Sequence, residues 1–569
     1  MSYDPHRMRR LLGRPLGWLW LLLSLPLWLP RLLLPRRANL VHVEVSSPMP
    51  ELGRVTGIER FVRKSKFGLW DLYELQRALS GDRRVRAVHL EFRAGISDGL
   101  ATLQTAAEML AAIRASGKKV LVTAHEMDNR LLWLAAGADA IALPPAATVF
   151  IPGHAAEIPF LGALLERHGL RAEVVKSGDF KTAGDTLSRS EMSPAHREMM
   201  EALLGDLQSQ FVSRVAEGRK LPVEKVAGCV DRGLLTAEAA RDAGLVDAVL
   251  YPDEVDDWLE EQVGAKVRRA GVWAYLGRIR LVRKVRRLLL GPARRLAVLD
   301  LSGVILHESP GRMPAREWVS AGVLEDAFES IRETRSIEAV ILRVNSPGGS
   351  GAESELLWRE VVRLVEEKPV VASMGDVAAS GGYYLAAPAS RIVALPGTLT
   401  GSIGVLAGKL DASGGLERIG IRVERVGRSE AAGFFSPAHP FSPRQRELME
   451  EEVERFYQLF LERVAAGRKM ETAEVHAVAQ GRVWTGRQAL ERRLADSNGG
   501  LLEAIRSARE LARIPAETPI EIAYFRPATQ IGLARYLSRR ATIAPAALLA
   551  ALLRRPEPLA WWPDGTRIV

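Results

Sequence analysis

Apolar residues recur along the chain in two alternating periods. Short runs such as VHVEV (41–45), AVHLEF (87–92), KVLVTA (119–124) and DAIAL (139–143) are apolar at nearly every position, which suits strands buried on both faces. Between them lie longer stretches whose apolar residues fall three and four apart, the spacing of amphipathic helices. The alternation returns in LAVLDL (296–301), AVILRV (339–344), PVVASM (369–374) and RIVAL (391–395), and helices are predicted over 194–217 and 443–466. Strands separated by helices predict an α/β fold class with largely parallel sheets and flanking helices.

The return is a repeat of sequence as well as of pattern. LAA at 134–136 matches LAA at 385–387 at an offset of 251, and IALP at 141–144 meets the end of IVALP at Pro396 after a one-residue adjustment. Ser193-Pro194 against Ser442-Pro443, and Thr236 against Thr485, keep the order at an offset of 249. Two related domains follow, rather than one large one.

The N-terminus has a different pattern. Arg7, Arg9, Arg10 and Arg14 precede an uncharged run, Pro15 to Pro30, which reaches Leu34 if Arg31 snorkels to the interface. About 20 residues suffice to span a bilayer, and no small-x-small cleavage site follows, so an uncleaved anchor over 1–37 is expected in preference to a signal peptide or an interfacial helix. A content of 47% apolar and 26% charged residues over 569 positions excludes global disorder. Cys229 is the single cysteine, so neither an internal disulfide nor a Cys-based metal site can form. The net charge of +10 is local: Lys266 to Arg295 holds eleven basic residues and no acidic one. With Trp273, Tyr275 and Leu276 among the charges, this stretch reads as a segment at an anionic membrane surface or as a solvated connecting helix. Nucleic-acid binding is not expected, because no helix-turn-helix, zinc finger or aromatic sheet signature accompanies the charge.

Candidate chemistry concentrates in the second copy. MGDVAASGGYYLAA places Ser380 among small residues between a strand and a helix, where a hydroxyl can enter a cleft and the following N–H groups can face the same space. NSPGGS (345–350), directly after AVILRV, forms a sharp turn able to receive an oxyanion or an extended backbone; without a Walker lysine it is a poor phosphate cradle. A serine needs a base. No histidine lies beside a patterned motif and no H-E-x-x-H is present, whereas Lys181 in SGDFKTAGDTLSRSEMSP (177–194) is flanked by small and apolar residues. At the repeat offset, Ser380 falls on Asn129 and Lys181 on Ala432, so each copy keeps one half of a dyad. One composite site per chain is expected, with the two domains facing each other.

These motifs, with GRVWTGRQAL (481–490), resemble the signal peptide peptidase A family in its long double-domain form, also called protease IV, over about residues 40 to 525. That family belongs to the serine-lysine peptidases of the crotonase and Clp-protease type fold. The resemblance implies Ser380 as nucleophile, Lys181 as general base, oxyanion donors at Gly348 or Gly349 and at Gly381, and Ser402 as the hydroxyl that orients the lysine. Phe180-Lys181-Thr182-Ala183 stands where relatives read more like Y-K-S-A, and Asn345 where many have Asp. The implied layout is an anchor (1–37), a lysine-bearing repeat (38–264), a basic linker or membrane-surface segment (265–295), a serine-bearing repeat (296–525) and a C-terminal extension (526–569). The implied protein is a serine endopeptidase of a bacterial inner membrane, single-pass and with its catalytic region periplasmic. It cleaves signal peptide remnants and other hydrophobic peptides, assembles as a homotetramer, and needs no cofactor or metal. A catalytically inactive membrane scaffold and a crotonase-like acyl-CoA enzyme are the alternatives.

Overall fold

In the computed structural model, which describes residues 38–52, 66–290, 294–308, 317–525 and 559–560, the apolar runs become parallel strands in two compact units. The first unit takes its described residues from 1–153 and 209–294, the second from 154–208 and 295–569. Residues 154–208 thus belong by sequence to the first repeat and by packing to the second unit. The expected anchor lies outside the described residues, as does the C-terminal extension apart from 559–560; among the described residues no helix is long and apolar enough to cross a membrane.

The first unit is built on a six-stranded sheet in the order Arg269–Gly271, Leu40–Val45, Ala87–Phe92, Lys119–Ala124, Ala140–Leu143, Ala248–Val249, with every neighbouring pair parallel. Leu40, Ala87, Leu121 and Ala140 pack with Trp258 and Leu259 of the helix Val255–Val263. Each fully buried leucine in such a cluster contributes about 2 kcal/mol. The register that sets His42 beside His89 leaves a polar chain across the sheet. His42 Nδ1 lies 3.2 Å from His89 Nδ1, His89 Nε2 lies 2.8 Å from Thr123 Oγ1, and His42 Nε2 lies 3.2 Å from Glu91. Burial pushes His89 down to about 3, so this ring is neutral at physiological pH.

Within the basic stretch, Val272–Leu290 forms a helix of the first unit that buries Tyr275 and Leu276. Arg280 donates to both Asp71 and Glu74, each at 2.5 Å, and Arg283 approaches Glu74 at 3.3 Å. Part of the positive charge is therefore held internally by the acidic face of the helix Leu69–Leu79.

The second unit centres on a sheet in the order Val483–Thr485, Leu399–Gly401, Val370–Ala379, Ile337–Ser346, Arg294–Ser302, Ile520–Phe525. The central strand Val370–Ala379 runs past its expected end at Met374. Its first half pairs with Arg391–Ala394 and its second half with Leu399–Gly401, so it changes neighbours midway and delivers Ser380 at its tip. A two-stranded antiparallel ribbon joins Arg171–Ser177, from the first repeat, to Val405–Asp411, from the second. The core is continuous from Val298's neighbours Ala297 and Leu299 through Val340, Leu342, Ala372 and Met374 to Tyr457 and Phe460 of the long helix Pro443–Arg468.

Candidate active site

Ser380 is the N-cap of the helix Gly381–Ala386, yet its side chain makes no capping bond. Its backbone has φ 53° and ψ −120°, a conformation outside the ordinary regions for a residue with a side chain. Such strain costs on the order of 1–3 kcal/mol and persists only where surrounding bonds impose it. Here Ser380 N donates to Gly401 O at 2.8 Å on one side, and the helix packs against the NSPGGS turn on the other. A methyl group at Gly381 would lie 2.5 Å from Ser354 Oγ and 3.2 Å from Gly348 Cα, so the two glycine backbones meet where only hydrogens fit. This is the local reason for the small residues around the serine, and it frees the hydroxyl to point away from the helix it caps.

Around this hydroxyl, the candidate oxyanion donors differ in availability. Gly348 N donates to Ser346 Oγ at 3.2 Å, which commits that N–H within the turn. Gly349 lies in the short strand Gly349–Ser350, paired with Ile305 on one edge and, antiparallel, with Ala560 on the other. Gly381 is the first helical residue after Ser380, and an N–H in that position has no intrahelical acceptor. Asn345 accepts from Val377 N through Oδ1 at 3.1 Å, so it ties the turn to the strand that carries Ser380.

Lys181 arrives from the far side of the ribbon. The register pairs Ser177 with Val405, so the loop leaving one strand and the loop entering the other run side by side. Lys181 therefore meets Ser402: Nζ lies 2.9 Å from Ser402 Oγ, 3.0 Å from Ser402 O and 3.0 Å from Ser380 Oγ. The amine is 2% exposed, and burial alone lowers it to about 7. A neutral amine has two N–H groups and one lone pair. Ser402 offers two acceptors, which leaves the lone pair facing Ser380 Oγ, the arrangement a proton acceptor needs. Ser402 is itself held at φ 51° with its N–H donated to Arg482 O at 2.7 Å.

The wall behind the lysine is formed by GRVWTGRQAL (481–490) and by Gln480 before it. Phe180 N donates to Gln480 O at 2.9 Å, and Gly481, at φ 78°, lies so close that a methyl group there would sit 2.5 Å from Lys181 Cβ. Arg482 stacks over the Phe180 ring at 4.6 Å and pairs with Glu198 at 2.6 Å. Asp206 accepts from Thr485 Oγ1 and from Arg487 Nε, both at 2.7 Å, which anchors the helix following the lysine segment to the same wall. Spacing alone could not have singled out Gly481, because its requirement comes from a residue 300 positions earlier.

Of the expected set, Lys181 contacts both Ser380 and Ser402, and Gly348 packs against Gly381, the residue after Ser380, while Gly349 packs on Ile305, all inside the second unit. The aligned positions hold no such group. Asn129 donates to Gly153 O at 2.6 Å in the first unit, and Ala432 lies in a turn closed by its N–H to Ser429 O.

Comparison with known proteins finds one family domain twice in the chain. The family model described as peptidase family S49 matches twice, at residues 112–266 and 363–515. The chain is 33% identical over 457 residues to the Arabidopsis thaliana protein named "Serine protease SPPA, chloroplastic", covering 79% of this chain and 67% of that one. It is 30% identical over 467 residues to Protease 4 of Salmonella typhi, covering 79% and 73%. Among solved structures, a mutant of the 1510-N membrane-bound stomatin-specific protease aligns over 42% of this chain and all of its own at 14% identity and a TM-score of 0.27. ClpP1 from Listeria monocytogenes aligns over 36% and 91% at 13% identity and a TM-score of 0.22. With its family domain present twice and protease relatives matching most of its length, this chain belongs to peptidase family S49 and is a serine protease.

Proposed function

We propose that the chain is a membrane-anchored serine endopeptidase that hydrolyses cleaved signal peptides and other hydrophobic peptides through Ser380 and Lys181. The observation that carries this reading is the buried amine 3.0 Å from Ser380 Oγ with Ser402 O and Oγ also within hydrogen-bond reach. Lys181 takes the Ser380 proton as the hydroxyl oxygen attacks the peptide carbonyl, and backbone N–H groups at Gly381 and Gly349 stabilise the tetrahedral oxyanion. The lysine ammonium then protonates the leaving amine, and the neutral amine next activates water to release the acyl group. Each oxyanion donor is worth about 2.7 to 4 kcal/mol in reactions of this kind.

Signal peptides suit the reading because they are extended, apolar and left in a membrane, where the run Pro15 to Leu34 would hold the enzyme. A bacterial inner membrane with the catalytic region outside the cytoplasm, and a homotetramer enclosing the sites, complete the proposal. An inactive scaffold has no use for a desolvated lysine or a strained serine, each of which costs stability.

Purified full-length chain in detergent tests it directly. Turnover of a hydrophobic fluorogenic peptide should vanish in Ser380→Ala and Lys181→Ala while assembly persists, and a fluorophosphonate probe should label wild type at Ser380. Near-normal turnover in folded Ser380→Ala would overturn the nucleophile, and in Lys181→Ala the base. Fractionation followed by N-terminal sequencing tests the anchor: a soluble product beginning after residue 34 would refute it.

A further inference from the structure

The outer edge of the NSPGGS turn is already paired. Gly349–Ser350 belongs to a small sheet in which Trp318–Val319 pairs with Val304–Ile305 and Ile305 with Gly349, while the other edge of Gly349–Ser350 carries Leu559–Ala560 of the C-terminal extension. This last pairing is antiparallel, with Gly349 against Ala560 and Ser350 against Leu559. The same two residues lie against the ribbon strand Val405–Asp411. They are therefore flanked by the two backbones that lead to the catalytic groups. Gly348, just before one, packs on Gly381, the residue after Ser380; Ser402, three residues before the other, contacts Lys181. In sequence the segment is Pro558-Leu-Ala-Trp-Trp-Pro563: four apolar residues, each with a backbone N–H, between two residues that have none.

We propose that the segment at Leu559–Ala560 is a built-in competitor of the peptides this site takes, an inference that rests on the peptidase reading and names a regulator of the same site. An extended peptide gains affinity by adding a strand to a sheet edge. Gly349–Ser350 has one edge on Ile305 and the other on Ala560, so a peptide that pairs beside the oxyanion turn must displace the tail. The segment offers what the proposed substrates offer, an uncharged apolar run over Leu559–Trp562. Its hold is weak enough to yield, because only two residues pair and a proline at either end of the run cannot donate to a ladder. Tethering makes so weak a hold effective: a segment on the same chain acts at an effective concentration on the order of millimolar, so an intrinsic Kd of about 0.1 mM raises the KM of a competing peptide about tenfold. Apolar peptides at high local concentration displace the tail, and scarce ones do not.

The test compares the full chain in detergent with a chain ending at Pro558. On a hydrophobic fluorogenic peptide, removal of residues 559–569 should lower KM about tenfold and leave kcat within about twofold. Leu559→Pro combined with Ala560→Pro in the full chain removes the N–H groups of the pairing, keeps the length, and should reproduce the fall. A synthetic peptide of residues 556–563 added to the shortened chain should raise KM in proportion to its concentration with kcat unchanged, and the same peptide with proline at both positions should not. A second readout needs no turnover: on a Ser380→Ala background, amide exchange over Gly349–Ser350 should quicken about tenfold in the shortened chain. A chain that turns over no peptide but shows this difference would refute the peptidase reading while supporting the pairing. An unchanged KM in an active shortened chain would overturn the inference and leave the peptidase reading standing. So would intact masses showing that wild type, but not Ser380→Ala, loses residues 559–569, because the segment would then be a substrate and not a competitor.

Discussion

At Lys181 the fold opposes a charge that the unfolded chain carries freely. The amine titrates near 10.5 in the unfolded chain and near 7 when buried, so between these values the unfolded state binds more protons and stability rises with pH. The penalty is full below about 7 and disappears above 10.5. Lys181→Met should therefore stabilise the fold at pH 7 to 8 by on the order of a few kcal/mol, seen as a higher melting temperature, while abolishing turnover; calorimetry of the two proteins side by side checks this. Activity should follow the same group in the same direction, with kcat/KM rising as pH passes through about 7. Lys181→Arg should be inactive at every accessible pH, since a guanidinium stays protonated. Gly481 acts on the lysine through contact alone. Gly481→Ala must move either its own strained backbone or the Lys181 stem, and a displacement of this size typically costs about 100-fold when it misaligns a reacting group. The loss should fall on kcat with KM little changed, which separates misplacement of the lysine from loss of peptide binding.

At the scale of elements, the strands of both copies were legible because parallel strands buried on both faces leave continuous apolar runs. The expected AVILRV became Ile337–Ser346, and the helices expected over 194–217 and 443–466 became 194–219 and 443–468. Strand ends were less legible: Val370–Ala379 outruns its apolar run because Leu399–Gly401 pairs with its second half, a partner that local pattern does not reveal. Arg171–Ser177 carries no legible strand pattern, because its charged residues hide an alternation that only pairing with Val405–Asp411 gives a purpose. The dyad was visible from the repeat, as complementary losses at Asn129 and Ala432, but the packing of residues 154–208 with the second repeat was not, since it depends on that ribbon. Asp206 tests how firmly the lysine-bearing segment is tied down. Asp206→Ala removes the acceptor of the Thr485 hydroxyl and of Arg487, which should destabilise the second unit by about 1–3 kcal/mol. Denaturant unfolding should show a lower midpoint with an unchanged slope.

For the molecule as a whole, two units with separate cores need not unfold together, and acid should distinguish them. His89 is held neutral at about 3 against 6.5 in the unfolded chain, so its contribution is complete above 6.5 and is lost as pH falls toward 3. Between pH 6.5 and 5 the first unit should lose on the order of 2 kcal/mol, seen as faster amide exchange in Ala87–Phe92, while strands of the second unit change less. His89→Gln should flatten that dependence. The ribbon also sets an order in time. Lys181 is synthesised early, Ser380 about two hundred residues later, and the wall that presses the amine into place, Gln480 to Thr485, later still. A chain emerging from a ribosome or a translocation channel therefore carries its base long before it can use it. Until the segment from Gln480 to Thr485 is free to fold, the Lys181 amine lacks part of the enclosure that lowers its proton affinity.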